Sequence, residues 1–78
     1  MLGEHDRVVL KSNVPDSALK AGDVGTIVHV YSDGRAYEVE FLALDGHTAA
    51  VVTLEADAVR AVTRDEITHA RALAAAGE

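Results

Sequence analysis

Residues 20–30 read KAGDVGTIVHV and residues 33–41 read DGRAYEVEF, and these two stretches decide the fold. The first is rich in β-branched residues and is opened by glycines, and the second alternates apolar and acidic residues, so each is typical of a β-strand. Asp33-Gly34 is the strongest short hairpin signal in the chain, because a type I′ turn needs positive φ at both central positions. The sequence therefore predicts an antiparallel hairpin.

A two-residue turn at Asp33-Gly34 also fixes which residues of the hairpin lie opposite each other. Counting outward predicts the pairs Val30 with Tyr37, His29 with Glu38, Val28 with Val39, Ile27 with Glu40 and Thr26 with Phe41. The face that we predict to be the core carries Val28, Val30, Tyr37, Val39 and Phe41. The face that we predict to be exposed carries Ile27, His29, Tyr31, Glu38 and Glu40.

Three further strands are predicted around this hairpin, over residues 7–11, 48–54 and 59–62. The residues predicted to face inward are Val8, Leu10, Ala50, Val52 and Leu54, together with Leu19 from one helical turn in the long first connection. Gly22 is expected to supply a positive φ, and Gly25 a bulge or a close approach of the backbone. Five short strands in this arrangement predict a mainly β domain over residues 1–62, a five-stranded SH3-like barrel.

A C-terminal α-helix is predicted over residues 63–78. Thr63-Arg64-Asp65-Glu66 matches a capping box, in which the first and last side chains each bind the other's backbone N–H. The apolar residues then recur at three- and four-residue spacing, and Gly77 ends the pattern. This narrow stripe consists of Ile67, Ala70, Leu73 and Ala74. Because so short a helix is marginal alone, we expect it to pack on the barrel or against a second copy, with a homodimer slightly favoured.

Four segments, residues 6–10, 19–31, 36–41 and 50–54, together resemble a family of small bacterial proteins known as domain of unknown function 4926. The resemblance covers roughly residues 5 to 62 and leaves the predicted helix outside. It implies a stand-alone SH3-like domain of unassigned activity, with no catalytic residues to carry over.

Composition narrows the classes of function. The chain has 78 residues, no cysteine and a formal charge of −6, from 13 acidic and 7 basic residues. A phosphate backbone is therefore not the expected partner, and a basic protein fits better, although solubility alone is the plainer explanation of the charge. The N-terminus lacks the pattern of a signal peptide, and no apolar run is long enough to span a bilayer, so we expect a cytoplasmic protein without membrane contact.

The sequence contains no motif typical of a catalytic site or of a metal site. The serines lie among turn formers, and the histidines have no metal-site spacing, so we expect no enzyme, no cofactor and no metal. His29 with Glu38 and Glu40 is the one candidate cluster for a metal or a proton transfer, but a solvated cross-strand pair is the better interpretation.

Without such a site, the protein is expected to act through its surface. We therefore predict a non-enzymatic module that binds another protein. The predicted partner-binding residues are Ile27, His29, Tyr31, Asp33, Glu38 and Glu40. The sharper hypothesis is an antitoxin, an immunity protein or a regulator of a neighbouring gene product. The alternatives are a KOW-like nucleic-acid-associated domain, which salt-dependent binding of RNA or DNA would favour, and an accessory subunit, which a stoichiometric enzyme partner would favour.

Overall fold

Five antiparallel strands in one sheet form the architecture of the protein. The structure is a computed structural model and describes residues 2–73. The strands are β1 (Arg7–Leu10), β2 (Val24–Val30), β3 (Ala36–Leu42), β4 (Thr48–Glu55) and β5 (Val59–Ala61). They lie in the order β4-β3-β2-β1-β5. The five predicted strands are thus confirmed, with ends that differ by a residue or two.

The hairpin of β2 and β3 turns where the sequence predicts. Asp33 has φ 59° and Gly34 has φ 74°, so both central residues are left-handed, as a type I′ turn requires. The Tyr31 N–H donates to the Ala36 carbonyl at 2.9 Å and continues the ladder up to the turn.

A β-bulge in β2 makes the predicted register wrong beyond His29. The pairs nearest the turn, Val30 with Tyr37 and His29 with Glu38, are as predicted. The next pair is Ile27 with Val39, so Val28 is an extra residue without a partner on β3. Ile27 is therefore fully buried and Val28 is 41% exposed, the reverse of the prediction.

The bulge is held by backbone contacts with the segment that leads into β1. The Ile27 carbonyl accepts a hydrogen bond from the His5 N–H at 2.7 Å, and the Ile27 N–H donates to the Asp6 carbonyl at 2.9 Å. Both backbone groups of Ile27 are thus satisfied on the side away from β3. The alternation of apolar and polar residues within β2 does not indicate these contacts with a segment distant in the chain.

The core lies on one face of the sheet. It consists of Val8, Leu10, Leu19, Ile27, Tyr37, Val39, Phe41, Leu54 and Val59, with Val30, Ala50 and Val52 packed against it. Apart from Ile27, Leu19 and Val59, these are residues that alternation predicts to face inward. Ile27 is predicted to be exposed, and Val59 is assigned to no face. Leu19 follows a single 3-10 turn, Pro15–Ser17, and closes one end of the core as expected.

Gly25 allows the backbone of β2 to pass close to β3 on the core side. A Cβ added there would lie 2.6 Å from Val39 Cγ1 and 2.9 Å from Phe41 Cε2. The predicted close approach is confirmed. Gly22, with φ 95°, supplies the predicted left-handed residue before β2.

The prediction of an α-helix from Thr63 is wrong for the part of it that the structure describes. The Thr63 N–H donates to Glu66 Oε1 at 2.8 Å, which is half of a capping box, and one turn closes from the Glu66 N–H to the Thr63 carbonyl. No helical turn follows over residues 67–73. Ala74 and Gly77, the end of the predicted helix, lie outside the described residues.

Ion pairs hold the C-terminal segment in an irregular path, which we call the strap (residues 62–73). Glu66 binds the Arg60 guanidinium through two hydrogen bonds, of 2.7 and 3.1 Å. Arg71 binds Asp23 and also donates to the Ala18 carbonyl at 3.1 Å. These contacts outweigh the small intrinsic stability of so short a helix, and Ile67 is left 92% exposed.

The strap lies over the outer face of the sheet, meaning the face opposite the core. Val9 alternates with Val8 and Leu10 and so points away from the core, yet it is only 5% exposed. It lines a small cavity together with Val62 and Ile67 of the strap. The strap therefore shields an apolar residue that β1 alone would leave in water.

Closure of the sheet into a barrel is not supported. Within residues 2–73, β4 pairs with β3 and β5 pairs with β1, but β4 and β5 do not pair with each other. A 3-10 turn, Ala56–Ala58, connects them, and β5 has three residues against eight in β4.

None of the helices among residues 2–73 is long and apolar enough to cross a membrane.

Candidate protein-binding surface

Glu38, on β3, is the centre of a polar cluster on the outer face. It lies opposite His29 on β2 and opposite Thr53 on β4. The Tyr31 hydroxyl donates to Glu38 Oε1 at 2.5 Å, and the Thr53 hydroxyl donates to the same oxygen at 3.3 Å. We call these four residues the Glu38 cluster. Its carboxylate is held by two neutral hydroxyl donors.

Two aromatic rings stand beside this carboxylate. The rings of His29 and Tyr31 pack edge to face, with centroids 4.5 Å apart and an interplanar angle of 79°. His29 Nδ1 lies 3.8 Å from Glu4 Oε2, with both side chains about half exposed. Edge-to-face packing restricts both rings, so Tyr31 presents a fixed apolar surface although it is 39% exposed.

The electrostatics of the cluster follow from the short contact between Tyr31 and Glu38. The hydrogen bond to the carboxylate raises the pKa of Tyr31 above its ordinary value of 10. The cause is that loss of the phenolic proton would remove the hydrogen bond and place a second negative charge beside the first. Tyr31 therefore remains a neutral donor throughout the physiological range.

Glu40 adds a second carboxylate two residues along β3 on the same face. The Thr48 hydroxyl donates to Glu40 Oε2 at 2.7 Å. Its neighbour on β4 is Val51, which is 47% exposed. Among residues 2–73, no Lys, Arg or His nitrogen lies within 4.0 Å of either Glu38 or Glu40. The outer face thus carries two hydrogen-bonded carboxylates that no cation among the described residues neutralises, beside exposed aliphatic and aromatic surface.

The structure brings together four of the six residues that the sequence proposes for this surface, namely His29, Tyr31, Glu38 and Glu40. Asp33 is exposed at the tip of the hairpin, next to the cluster in the chain but without a side-chain contact to it. Ile27 does not belong to the surface, because the bulge turns it into the core.

Sequence reasoning missed the contributions of β4. Thr53 and Val51 join the surface because they lie opposite Glu38 and Glu40. The alternation of β4, with Leu54 facing inward, already places both on the outer face, but only the register between β3 and β4 shows which carboxylate each one meets. Glu4 had no signal in the sequence.

Metal binding has no geometric basis in the part of the chain that is described. No group of three or more His, Asp and Glu side chains among residues 2–73 is arranged to hold an ion. His29 and Glu38 lie opposite each other, but Glu38 Oε1 accepts hydrogen bonds from the Tyr31 and Thr53 hydroxyls, and His29 Nδ1 lies near Glu4. The arrangement is that of a hydrogen-bonded surface cluster.

A second region of the outer face lies at the other end of β2 and β3. There the apolar side chains of Val24 and Leu42 border an open groove with Leu73 of the strap. Arg71 crosses this groove to reach Asp23, and its hydrogen bond lowers the pKa of the Asp23 carboxyl, with partial burial opposing the effect. Within residues 2–73, the strap therefore occupies this end of the outer face and leaves the end with the Glu38 cluster open.

Comparison with known proteins identifies a family and nothing narrower. A family model described as a domain of unknown function, DUF4926, matches residues 4–61. The match confirms the resemblance found in the sequence. No curated protein and no solved structure matches the chain. The strap lies outside the matched range.

Proposed function

The chain belongs to the DUF4926 family, whose description assigns no activity, and from that premise we propose that it is a non-enzymatic module that binds another protein. The observation that carries the proposal is the pair of ordered, un-neutralised carboxylates of Glu38 and Glu40 beside the exposed ring of Tyr31. The partner that fits is a basic and partly apolar protein surface.

Charge and shape have separate roles in this proposal. The net charge of −6 and the two carboxylates would speed the encounter with a basic partner, an effect that falls with ionic strength. Tyr31, braced by His29, would supply the anchor, because rigid aromatic residues surrounded by smaller contacts are frequent hot spots. Val51 extends the apolar part of the same surface.

A finer inference concerns the kind of partner. A small acidic domain that acts through one surface suits an antitoxin, an immunity protein or a regulator of a neighbouring gene product. The strand order and the long connection between β1 and β2 also support a relationship to SH3-like domains.

Capture from the native host is the first experiment. The tagged chain is used as bait, and the bound proteins are identified by mass spectrometry. We expect a stoichiometric partner with a basic surface, and binding measured at two salt concentrations should weaken as the salt rises.

Charge-reversal variants then test the surface. The double variant Glu38→Lys, Glu40→Lys should slow association about tenfold or more at low salt, and Tyr31→Ala should speed dissociation. The matched control is Asp16→Lys, Asp65→Lys, which makes the same change of charge at exposed positions outside the Glu38 cluster and outside β3 and β4. Equal binding by the surface variant and its control, with both folded, would contradict the proposal. So would salt-dependent binding of RNA or DNA without a protein partner.

A further inference from the structure

We propose that the free edge of β4 receives an extended segment of the partner, with basic residues at alternate positions of that segment. The inference rests on the proposed function and specifies how the same partner is recognised. The supporting observation is that β4, an edge strand of eight residues, pairs on one side only within residues 2–73. Its other side carries a row of backbone donors and acceptors, which is the requirement for strand addition.

The two edges of the sheet differ in how they are protected. Natural edge strands are usually short, charged or interrupted by proline. β5 has three residues, and its Arg60 is bound to Glu66 of the strap. β4 reads TAAVVTLE, without Lys, Arg, Pro or Gly, and its one charge, Glu55, is at the end. In the part of the chain that the structure describes, the edge of β4 is therefore the one open to another strand.

A bulge limits the usable length of this edge. Leu42 pairs with Thr48 and Phe41 pairs with Ala50, so Ala49 is the extra residue. From Ala50 to Glu55 the pairing with β3 is regular. A partner segment of about six residues would match this stretch, at one partner residue for each residue of β4.

The rows of side chains on the outer face specify the chemistry of the segment. Glu38 lies opposite Thr53, and Glu40 lies opposite Val51. An added strand would continue both rows at two strand spacings from β3, about 9–10 Å. The short side chains on β4 leave room for a Lys or Arg on the added strand to extend over them toward the carboxylates. Two basic residues at positions i and i+2 would then meet the two glutamates.

The residues between the basic ones would face the core side. There Ala50 and Val52 pack against the core but remain partly exposed at the edge. Apolar residues on the added strand would cover them and extend the core by one row. The favoured segment therefore alternates apolar and basic residues.

A second copy of the chain does not meet these requirements. Pairing β4 with another β4 would add no cation to either row, because the strand holds no Lys or Arg. It would also bring the carboxylates of two chains of net charge −6 toward each other. The charge pattern favours a basic foreign strand.

Short peptides test the edge directly. The probe is acetyl-VKVKVKV-amide, with acetyl-VEVEVEV-amide as the charge control, and binding is followed by NMR shifts of the amides of the intact chain. We expect the lysine peptide to shift the amides of residues 50–55 and the glutamate peptide to leave them unchanged. Equal binding of both peptides, or shifts confined to other residues, would overturn the proposal.

Backbone methylation supplies the sharper comparison. One version of the lysine peptide is N-methylated at its lysines and another at its valines. Since alternate N–H groups of a strand point to the same edge, one version loses the donors to β4 and the other keeps them. We expect the affinities of the two versions to differ about tenfold or more. Equal affinities, whether high or low, would overturn the proposal.

A variant of the protein completes the test. Val51→Lys places a cation in the row of Glu40 and should weaken binding of the lysine peptide about tenfold. Ile67→Lys is the matched control, at an aliphatic residue of the strap that is 92% exposed, and should bind as the parent does. If Val51→Lys does not fold, Thr53→Lys at the exposed neighbour replaces it. Unchanged binding by the folded variant would overturn the proposal.

The outcomes separate this inference from the proposed function. Should the captured partner respond to Glu38→Lys, Glu40→Lys while the two methylated peptides bind equally, the outer face binds it and the edge does not. Should it respond neither to Glu38→Lys, Glu40→Lys nor to Val51→Lys, both proposals fail.

Discussion

Replacing Gly25 by alanine should destabilise the protein, although the change adds one carbon atom. The new Cβ would lie 2.6 Å from Val39 Cγ1, 2.9 Å from Phe41 Cε2 and 3.0 Å from the Glu40 carbonyl oxygen. Val39 is fully buried and Phe41 is 3% exposed, so neither can move into water to make room. Gly25 does not have a positive φ, so the cost is one of packing and not of backbone strain.

The magnitude follows from two opposing effects. Overpacking of a core costs about 1–3 kcal/mol, and the lower entropy of the unfolded chain with alanine returns about 0.4–1 kcal/mol. We therefore expect a net loss of about 1–2 kcal/mol, a large share of the roughly 4–12 kcal/mol that holds a domain of this size. The melting temperature should fall by about 4–16 °C.

Thermal unfolding followed by circular dichroism measures this loss, with Gly3→Ala as the control. Gly3 has no atom within 4 Å of an added Cβ and no positive φ, so its replacement should leave the melting temperature unchanged or slightly raised. If Gly25→Ala melted together with Gly3→Ala, the close approach of β2 and β3 described above would be refuted.

Three further predictions test the bulge, the strap and the Glu38 cluster. Ile27→Ala should cost about 2–5 kcal/mol in urea unfolding, whereas Val28→Ala should cost about 0.5 kcal/mol or less; equal costs would contradict the bulge. The hydrogen bonds from Arg60 lower the pKa of Glu66 from 4.5 to about 2. The ion pair therefore stabilises the protein above pH 4.5, and this stabilisation is lost as the pH falls toward 2. The parent should therefore lose stability more steeply over that range than Glu66→Gln does, and parallel curves would show that the ion pair does not form in solution. Glu38→Gln should bring the raised pKa of Tyr31 back toward 10, as measured by the ultraviolet absorbance of tyrosinate, and an unchanged titration would show that the hydrogen bond between these residues is absent.

Local signals in the sequence predict most of the sheet. Asp33-Gly34 adopts the turn that its residue types favour, and the pairing next to it follows by counting. Val8 and Leu10 face inward, as alternation predicts, because the alternate positions of this segment carry the charged residues Arg7 and Lys11. The juxtaposition of His29 and Glu38 is predictable for the same reason, since it lies close to the turn.

The bulge is not predictable from β2 alone. Ile27 and Val28 are both β-branched and apolar, so either one suits the core. The choice depends on the hydrogen bonds that Ile27 accepts from the His5 N–H and donates to the Asp6 carbonyl, and both residues are distant in the chain. The assignment of Ile27 to the binding surface failed because these contacts act through the backbone and leave no mark on the side-chain pattern.

In the strap, the predicted helix start forms in part, but the helix itself does not follow. Thr63 and Glu66 form half of the predicted capping box, but Glu66 also binds Arg60, and the chain continues without a helix. The contact that holds the distal part joins Arg71 to Asp23 across 48 positions of sequence. Helical periodicity describes what the segment would do in isolation, and tertiary ion pairs determine what it does here.

The bulge also changes what a deletion would do to β2. Loss of one residue from a strand ordinarily exchanges the inside and outside positions of everything that follows it. Without Val28, however, Ile27 would precede His29 directly. Their partners on the antiparallel strand β3, Val39 and Glu38, are adjacent already, so both existing pairs would survive. Because Val28 has no partner on β3, a chain that lacks it could form the same sheet with an uninterrupted ladder between β2 and β3.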